Sequence, residues 1–352
     1  MSKHISGIQQ VGIGIPDVHQ AWKWYRENLA IDVPIFEEAA TADLMLPYTG
    51  GEPHDRHAIL ALSMQGGGGF EIWQYTSRTP VGPDFKPQLG DLGIFICKIK
   101  SNNIDKAFAH LSSNNATISS SVHSNPQGKK HFFVQDPYGN VFEIEEFEDF
   151  YKNDLKPTGG VSGVGVGVSN MDESIVFYSD VFGYSNVVYD ETDTFKDLEG
   201  VEGGSDRMRR VLLKHPEKRK GAFSEMLGPS SIELFQLVQK QPKKIFEDRF
   251  WGDLGYIHLC FDVTDMASLK EECERAGHPF TVDSANSFDM GEAAGHFTYT
   301  EDPDGTLIEF VETHKIPILK KIGWYLNLKK RDPKKALPKW MLGSLALNRK
   351  KD

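Results

Sequence analysis

Asp136-Pro137-Tyr138-Gly139-Asn140-Val141-Phe142-Glu143 returns later in the chain as Asp302-Pro303-Asp304-Gly305-Thr306-Leu307-Ile308-Glu309, a tight turn followed by an apolar strand that carries a glutamate. Working outward from it, Asp91-Leu92-Gly93 ahead of an apolar strand returns as Asp253-Leu254-Gly255, and Val11-Gly12-Ile13-Gly14-Ile15 returns as Val164-Gly165-Val166-Gly167-Val168. The last two segments each precede a helical pattern with an aromatic pair, Trp24-Tyr25 in one and Phe177-Tyr178 in the other. The chain is an internal duplication, and a repeat on this scale governs how every other segment is read. Within each half the apolar pattern passes from alternation to helical spacing and back, and does so twice, which predicts a βαβββ unit four times over.

The first unit has a strand at 8–15, a helix over Val18 to Leu29 and short strands near 33–37, 58–64 and 69–75. The second runs from Gly93 to Phe147 with a helix near Ile104 to Leu111, the third over about 161–238 and the fourth over about 254–312. The expected fold class is therefore α+β. Two units make a domain over 1–152, two more a domain over 160–313, and 314–352 forms a basic C-terminal extension. Proline-bearing linkers are expected at 79–87, 153–160 and 239–248, and the segments 38–57 and 191–230 read as long loops.

A chain of 352 residues with 39% hydrophobic content is long enough for two ordinary domains. No basic start followed by an apolar run of signal length opens the sequence, and no stretch is apolar enough to span a bilayer, so a cytoplasmic protein is expected. Cys97, Cys260 and Cys273 lack the spacing of a disulfide framework or a structural zinc site, so packed thiols are expected. The net charge of -11 is divided: residues 315–352 hold twelve Lys or Arg against Asp332 and Asp352, which leaves 27 basic and 48 acidic residues before them. An acidic body argues against a nucleic-acid partner. The basic tail interleaves apolar residues such as Trp340, Met341 and Leu342, and packing on the acidic body is expected in preference to a membrane surface, because Pro317, Pro333 and Pro338 interrupt any long amphipathic helix.

Alternation places residue types that bind metals on the face opposite the apolar one. Val11 and Ile13 oppose Gln10; Leu259, Phe261 and Val263 oppose His258; Phe70 and Ile72 oppose Glu71; Ile308 and Phe310 oppose Glu309. An ionised glutamate in an apolar strand is costly to bury unless it is paired or bound to a cation.

With the Asp-Pro-x-Gly turns followed by Glu143 and Glu309, and the strand from Gly255 to Val263 containing His258, the chain resembles the vicinal oxygen chelate superfamily of glyoxalases, epimerases, bleomycin and fosfomycin resistance proteins and extradiol dioxygenases. The resemblance covers about residues 5–313. It implies that the four units curl into two open barrels, each able to hold one divalent metal between the first and fourth strands of two units. Mapped here, unit one supplies Gln10 and Glu71, unit two Ile96 and Glu143, unit three Gly163 and Glu233, and unit four His258 and Glu309.

Two pairings stay open in the sequence. If units one and four face each other, the resemblance implies one metal centre of Gln10, Glu71, His258 and Glu309, with Ile96, Glu143, Gly163 and Glu233 as a partner site that has lost two ligands. If each half closes on itself, the sets are Glu233, His258 and Glu309, and Gln10, Glu71 and Glu143. Neither contains the two histidines and one carboxylate expected for non-haem iron oxygen chemistry, and Gly163 stands where the dioxygenases would place a histidine.

A mixed oxygen and nitrogen set suits one redox-silent divalent ion, Zn, Ni, Co or Mn in preference to Fe. The expected activity is a lyase or isomerase reaction of the glyoxalase or epimerase type on a small hydroxycarbonyl compound, with Glu309 and Glu71 as proton carriers. Alternatives are an extradiol-type dioxygenase and a non-catalytic small-molecule binder. Gly14, Tyr75 and Leu254 stand where the resemblance would put the Arg, Asn and Arg that grip glutathione. Trp73 and His296 are further candidates for the pocket wall. A monomer or a homodimer is compatible with the sequence.

Overall fold

The computed structural model describes residues 3–285, 288–290, 293–319 and 324–350. Unit one comprises β1 (His4–Gly14), α1 (Val18–Leu29), β2 (Val33–Thr41), β3 (Asp55–Leu62) and β4 (Gly69–Tyr75). Unit two comprises β5 (Gly93–Ser101), α2 (Ile104–Ser113), the short β6 (Thr117–Ile118) and β7 (His123–Ser124), β8 (Lys130–Gln135) and β9 (Val141–Glu146). Unit three comprises β10 (Val161–Gly167), α3 (Met171–Phe182), β11 (Asn186–Asp193), β12 (Met208–Lys214), the one-turn α4 (Ser224–Leu227) and β13 (Ser231–Leu237). Unit four comprises β14 (Gly255–Thr264), α5 (Met266–Arg275), β15 (Val282–Asp283), β16 (Phe288–Met290), β17 (Ala293–Glu301) and β18 (Leu307–Leu319), after which come β19 (Trp324–Asn327) and α6 (Lys339–Gly343).

The strands form two sheets, and the units pair across the halves. One sheet has the order β15-β17-β18-β14-β1-β4-β3-β2, so units one and four meet where β1 lies antiparallel to β14. The other has the order β11-β12-β13-β10-β5-β9-β8-β6, uniting units two and three. This disposes of the alternative in which each half closes on itself, because Glu233 on β13 and His258 on β14 lie in different sheets. Within each unit the first strand runs parallel to the last, β1 beside β4 and β14 beside β18. Two such crossovers put both ends of a unit at the middle of the sheet.

The alternation read from the sequence sorts the faces. Val11, Ile13, Phe70, Ile72, Leu259, Phe261, Ile308 and Phe310 all enter one core that also takes in residues of the four long helices, such as Tyr25, Leu111, Tyr178 and Leu269. Tyr25 on α1 donates to Asp136 of the first Asp-Pro turn at 2.7 Å, and Tyr178 on α3 to Asp302 of the second at 3.1 Å. Each buried aspartate also accepts backbone N–H groups of its own turn, so the recurring tyrosine and the recurring turn hold successive units together.

Two expected loops are shorter than anticipated. β2 extends to Thr41 and β3 starts at Asp55, which confines the first loop to the residues between them; the segment 191–230 contains the whole of β12 and the short α4. The consecutive Arg209 and Arg210 hide β12 from a hydrophobic pattern, yet Arg210 is buried. The tail packs on the body: Leu337 and Leu342 are buried in a cluster with Val33, Met64 and Met226, and Arg349 meets Asp32 at 3.1 Å and also Asp154. Residues 320–323, 351 and 352 of the expected tail lie outside the described residues. The three cysteines are free and buried.

Candidate metal centre

The four expected ligands come together at the middle of the first sheet. In register Gly12 stands opposite both Glu71 on β4 and His258 on β14, Gln10 lies two residues away on the same face, and Cys260 beside Glu309 brings β18 to the same place. Gln10 Nε2 is 3.3 Å from Glu71 Oε2 and 3.2 Å from Glu309 Oε2. His258 Nε2 is 3.3 Å from the same Glu71 oxygen and 3.1 Å from the same Glu309 oxygen. Two carboxylates, an imidazole and an amide thus converge on one point.

The donor set carries the marks of a cation site. The fully buried His258 turns Nε2 toward two carboxylate oxygens at once, and Gln10 Oε1 is buried without a partner. A half turn of the Gln10 amide would present that oxygen in place of the nitrogen. Burial alone would lower the His258 pKa, but the Glu309 and Glu71 carboxylates outweigh it and push it up to about 9. Two buried anions demand positive charge at this spot, and a divalent ion satisfies that demand more fully than one proton on a ring. The residues therefore fit a metal ion.

Aromatic side chains close one end. Trp251 stacks parallel to the His258 ring at 6.2 Å, Tyr299 meets it edge-on at 5.5 Å, and Trp73 contacts Trp251 at 4.7 Å. Trp73, a candidate for the wall that also reads as simple packing, is fully buried in the apolar cluster with Trp251 and Tyr299, whereas His296 points to the opposite face of β17 and pairs with Asp283 at 2.6 Å. Sequence reasoning missed Trp251, which sits between the expected linker and unit four with no periodicity to mark it, and Tyr299, which the register places opposite Glu309.

In the second sheet, positions equivalent by register are Gly163, Glu233, Ile96 and Glu143, and a protein cation fills the space between the carboxylates. Lys98 Nζ lies 2.7 Å from Glu143 and 2.6 Å from Glu233. Arg210 meets Glu233 at 2.5 Å and Asp197 at 2.7 Å, His131 meets Glu143 at 2.8 Å and Asp197 at 3.2 Å, and Tyr189 donates to Glu233. Burial would raise the carboxyl pKa values of Glu143 and Glu233, but the adjacent cations hold both below the usual carboxylate range. Lys98 was legible as a lysine two residues beyond Ile96 on the same face of an apolar strand. Arg210, His131 and Asp197 give no such signal.

The sequence itself decides the family. The family model described as Glyoxalase/Bleomycin resistance protein/Dioxygenase superfamily matches residues 7–144 and again 160–310. The chain belongs to that superfamily. Glyoxalase I from Zea mays is similar in fold, with a TM-score of 0.55 at 13% identity, over 88% of this chain and 92% of that one. A putative dioxygenase from Bacillus subtilis gives a TM-score of 0.57 at 11% identity, over 88% of this chain and 86% of that one. No curated protein matches the chain. Likeness at this level establishes the glyoxalase-superfamily fold and leaves the reaction to the site.

Proposed function

We propose that this superfamily member is a metal-dependent enzyme that moves a proton on a small hydroxycarbonyl substrate, in the manner of a glyoxalase or an epimerase. The observation that carries this reading is the convergence of Gln10, Glu71, His258 and Glu309 from strands at opposite ends of the sequence onto one point, with Gln10 Oε1 left buried without a partner. A bound divalent ion supplies Lewis acidity toward two neighbouring substrate oxygens. His258 holds its place through Trp251 and Tyr299, and Glu71 and Glu309 stand on either side of it. One glutamate takes the proton from the carbon beside the carbonyl, and the other glutamate or a water returns one, to the neighbouring carbon in an isomerisation or to the opposite face of the same carbon in an epimerisation, with no net change in the substrate's atoms. One histidine among four donors falls short of the two-histidine set of non-haem iron oxygen chemistry, which favours this reading over a dioxygenase.

Gly14, Tyr75 and Leu254 leave the glutathione grip unbuilt, so a polar substrate without that tripeptide suits the chain better. Elemental analysis of purified protein should find a divalent ion that His258→Ala loses. Solvent deuterium should enter a hydroxycarbonyl substrate with wild type, and Glu309→Gln should cut that exchange at least about a hundredfold while leaving ligand binding within a few fold. Binding with no exchange in the wild type would reduce the centre to a binding site.

A further inference from the structure

We infer that the chain carries a second divalent-cation site, on its outer surface, formed by His19, Glu37 and His57. His19 stands in the first turn of α1, Glu37 on β2 and His57 on β3. The His57 Nε2 atom is 3.3 Å from Glu37 Oε1, and His19 Nε2 is 3.6 Å from that same oxygen. The two rings meet edge to face with centroids 5.3 Å apart, and the three ligand atoms lie within 4.8 Å of one another.

These distances are long for hydrogen bonds of this type, which cluster near 2.9 Å. They match the edge of a tetrahedron around a zinc ion, about 3.3 Å for bonds of about 2.0 to 2.1 Å. Two imidazoles and one carboxylate are a zinc-type donor set, with the fourth position left to water. Hard oxygen-seeking ions such as magnesium find only one carboxylate here and are disfavoured.

The backbone holds the three donors in place. Asp17 caps α1 by accepting from the His19 N–H at 3.0 Å, and the Val18 N–H is tied to the Gln74 side chain on β4 at 3.0 Å. Glu37 and His57 share one face of the β2–β3 ladder, diagonally across the pair of Ala39 with His57. The neighbouring cation, Arg56, is engaged by Glu38 at 2.5 Å and leaves Glu37 to the imidazoles. The side chains of His19, Glu37 and His57 are 62%, 42% and 26% exposed, so an ion reaches them without any rearrangement.

The alternate residues Phe36 and Ala58 pack on the other face of the same ladder, among the aromatic residues beside the inner centre. The outer site is thus separate from the inner one, and a cation there fastens α1 to the strands that wall it. No residue is shared between the two.

Zinc is the probe. Metal-stripped full-length protein is loaded with zinc, desalted and analysed for metal per chain, alongside His258→Ala, His57→Ala and the double variant. Two ions in wild type, one in each single variant and none in the double variant are expected. Zinc should also raise the melting temperature of His258→Ala and leave that of the double variant unchanged. One ion that His258→Ala loses and His57→Ala keeps overturns the outer site and leaves the proposed inner centre standing. One ion with the reverse pattern overturns the inner centre alone. Zinc retained in the double variant, or no zinc anywhere, overturns the outer site.

Discussion

At the scale of the residue, the repeated glycines are explained by what a side chain there would strike. A β-carbon on Gly14 would lie 1.9 Å from the Asp253 carbonyl oxygen, and one on Gly167 would lie 1.9 Å from the Asp91 carbonyl oxygen. The repeated Gly-x-Gly strand and the repeated Asp-Leu-Gly segment are thus two halves of one fit, made once in each sheet. Gly12 makes room for the His258 ring of the proposed metal centre, since a β-carbon there would come within 2.4 Å of it. Gly12→Ala is therefore expected to displace the imidazole, lower the metal content per chain at least about tenfold and leave the circular dichroism spectrum in place, because the change is one methyl group in a strand. Unchanged metal content would show that His258 does not hold the ion. The four inner side chains were legible because each is a polar intruder in an apolar strand. Trp251 was not, because nothing in the irregular stretch before β14 says which aromatic will be folded back over a sheet.

At the scale of the element, the second sheet is held by buried charge pairs at the positions that answer to the proposed ion site of the first. Lys98 on β5, His131 on β8, Glu143 on β9, Arg210 on β12 and Glu233 on β13 join strands from two units through buried contacts. Removing one partner leaves a buried charge uncompensated, which costs about 3–5 kcal/mol. Lys98→Met should destabilise the protein by that order in urea unfolding, and a change under about 1 kcal/mol would contradict the assignment.

The pH dependence follows from His131, which burial would make less basic but which Glu143 and Asp197 hold at about 9 against an ordinary 6.5. The folded state binds that proton more tightly, so the stabilisation is fully present below pH 6.5 and is lost as pH rises through 9, a fall of about 3 kcal/mol. Urea midpoints across that range should decline in wild type and decline less in His131→Gln. Elements with a clean period, such as α1 and β4, stood where the sequence put them. β12 did not show itself, because Arg210 occupies an inward position that only a buried anion makes tolerable.

At the scale of the whole molecule, neither sheet belongs to one half of the sequence, since β1 is completed by β14 and β5 by β10. Chains covering 1–152 and 160–352, made separately, should each be unstable and should associate when coexpressed into a complex that regains the metal content of the intact protein. Two halves that each folded and bound metal alone would contradict the cross-half pairing. Duplication, unit order and the apolar faces were all readable, because each repeats a local pattern. The choice of pairing was not, because it is a contact between segments about 250 residues apart.

The same pairing sets a timetable for biosynthesis. The first half leaves the ribosome with β1 and β5 each at an unpaired edge; β10, starting at Val161, soon follows to cover β5, whereas β1 waits until β14, starting at Gly255, has been made. Glu309, a proposed ligand of the ion, comes later still. Until β14 arrives the nascent chain offers the β1 edge to its neighbours, so elongation through unit three sets how long that edge is open to aggregation.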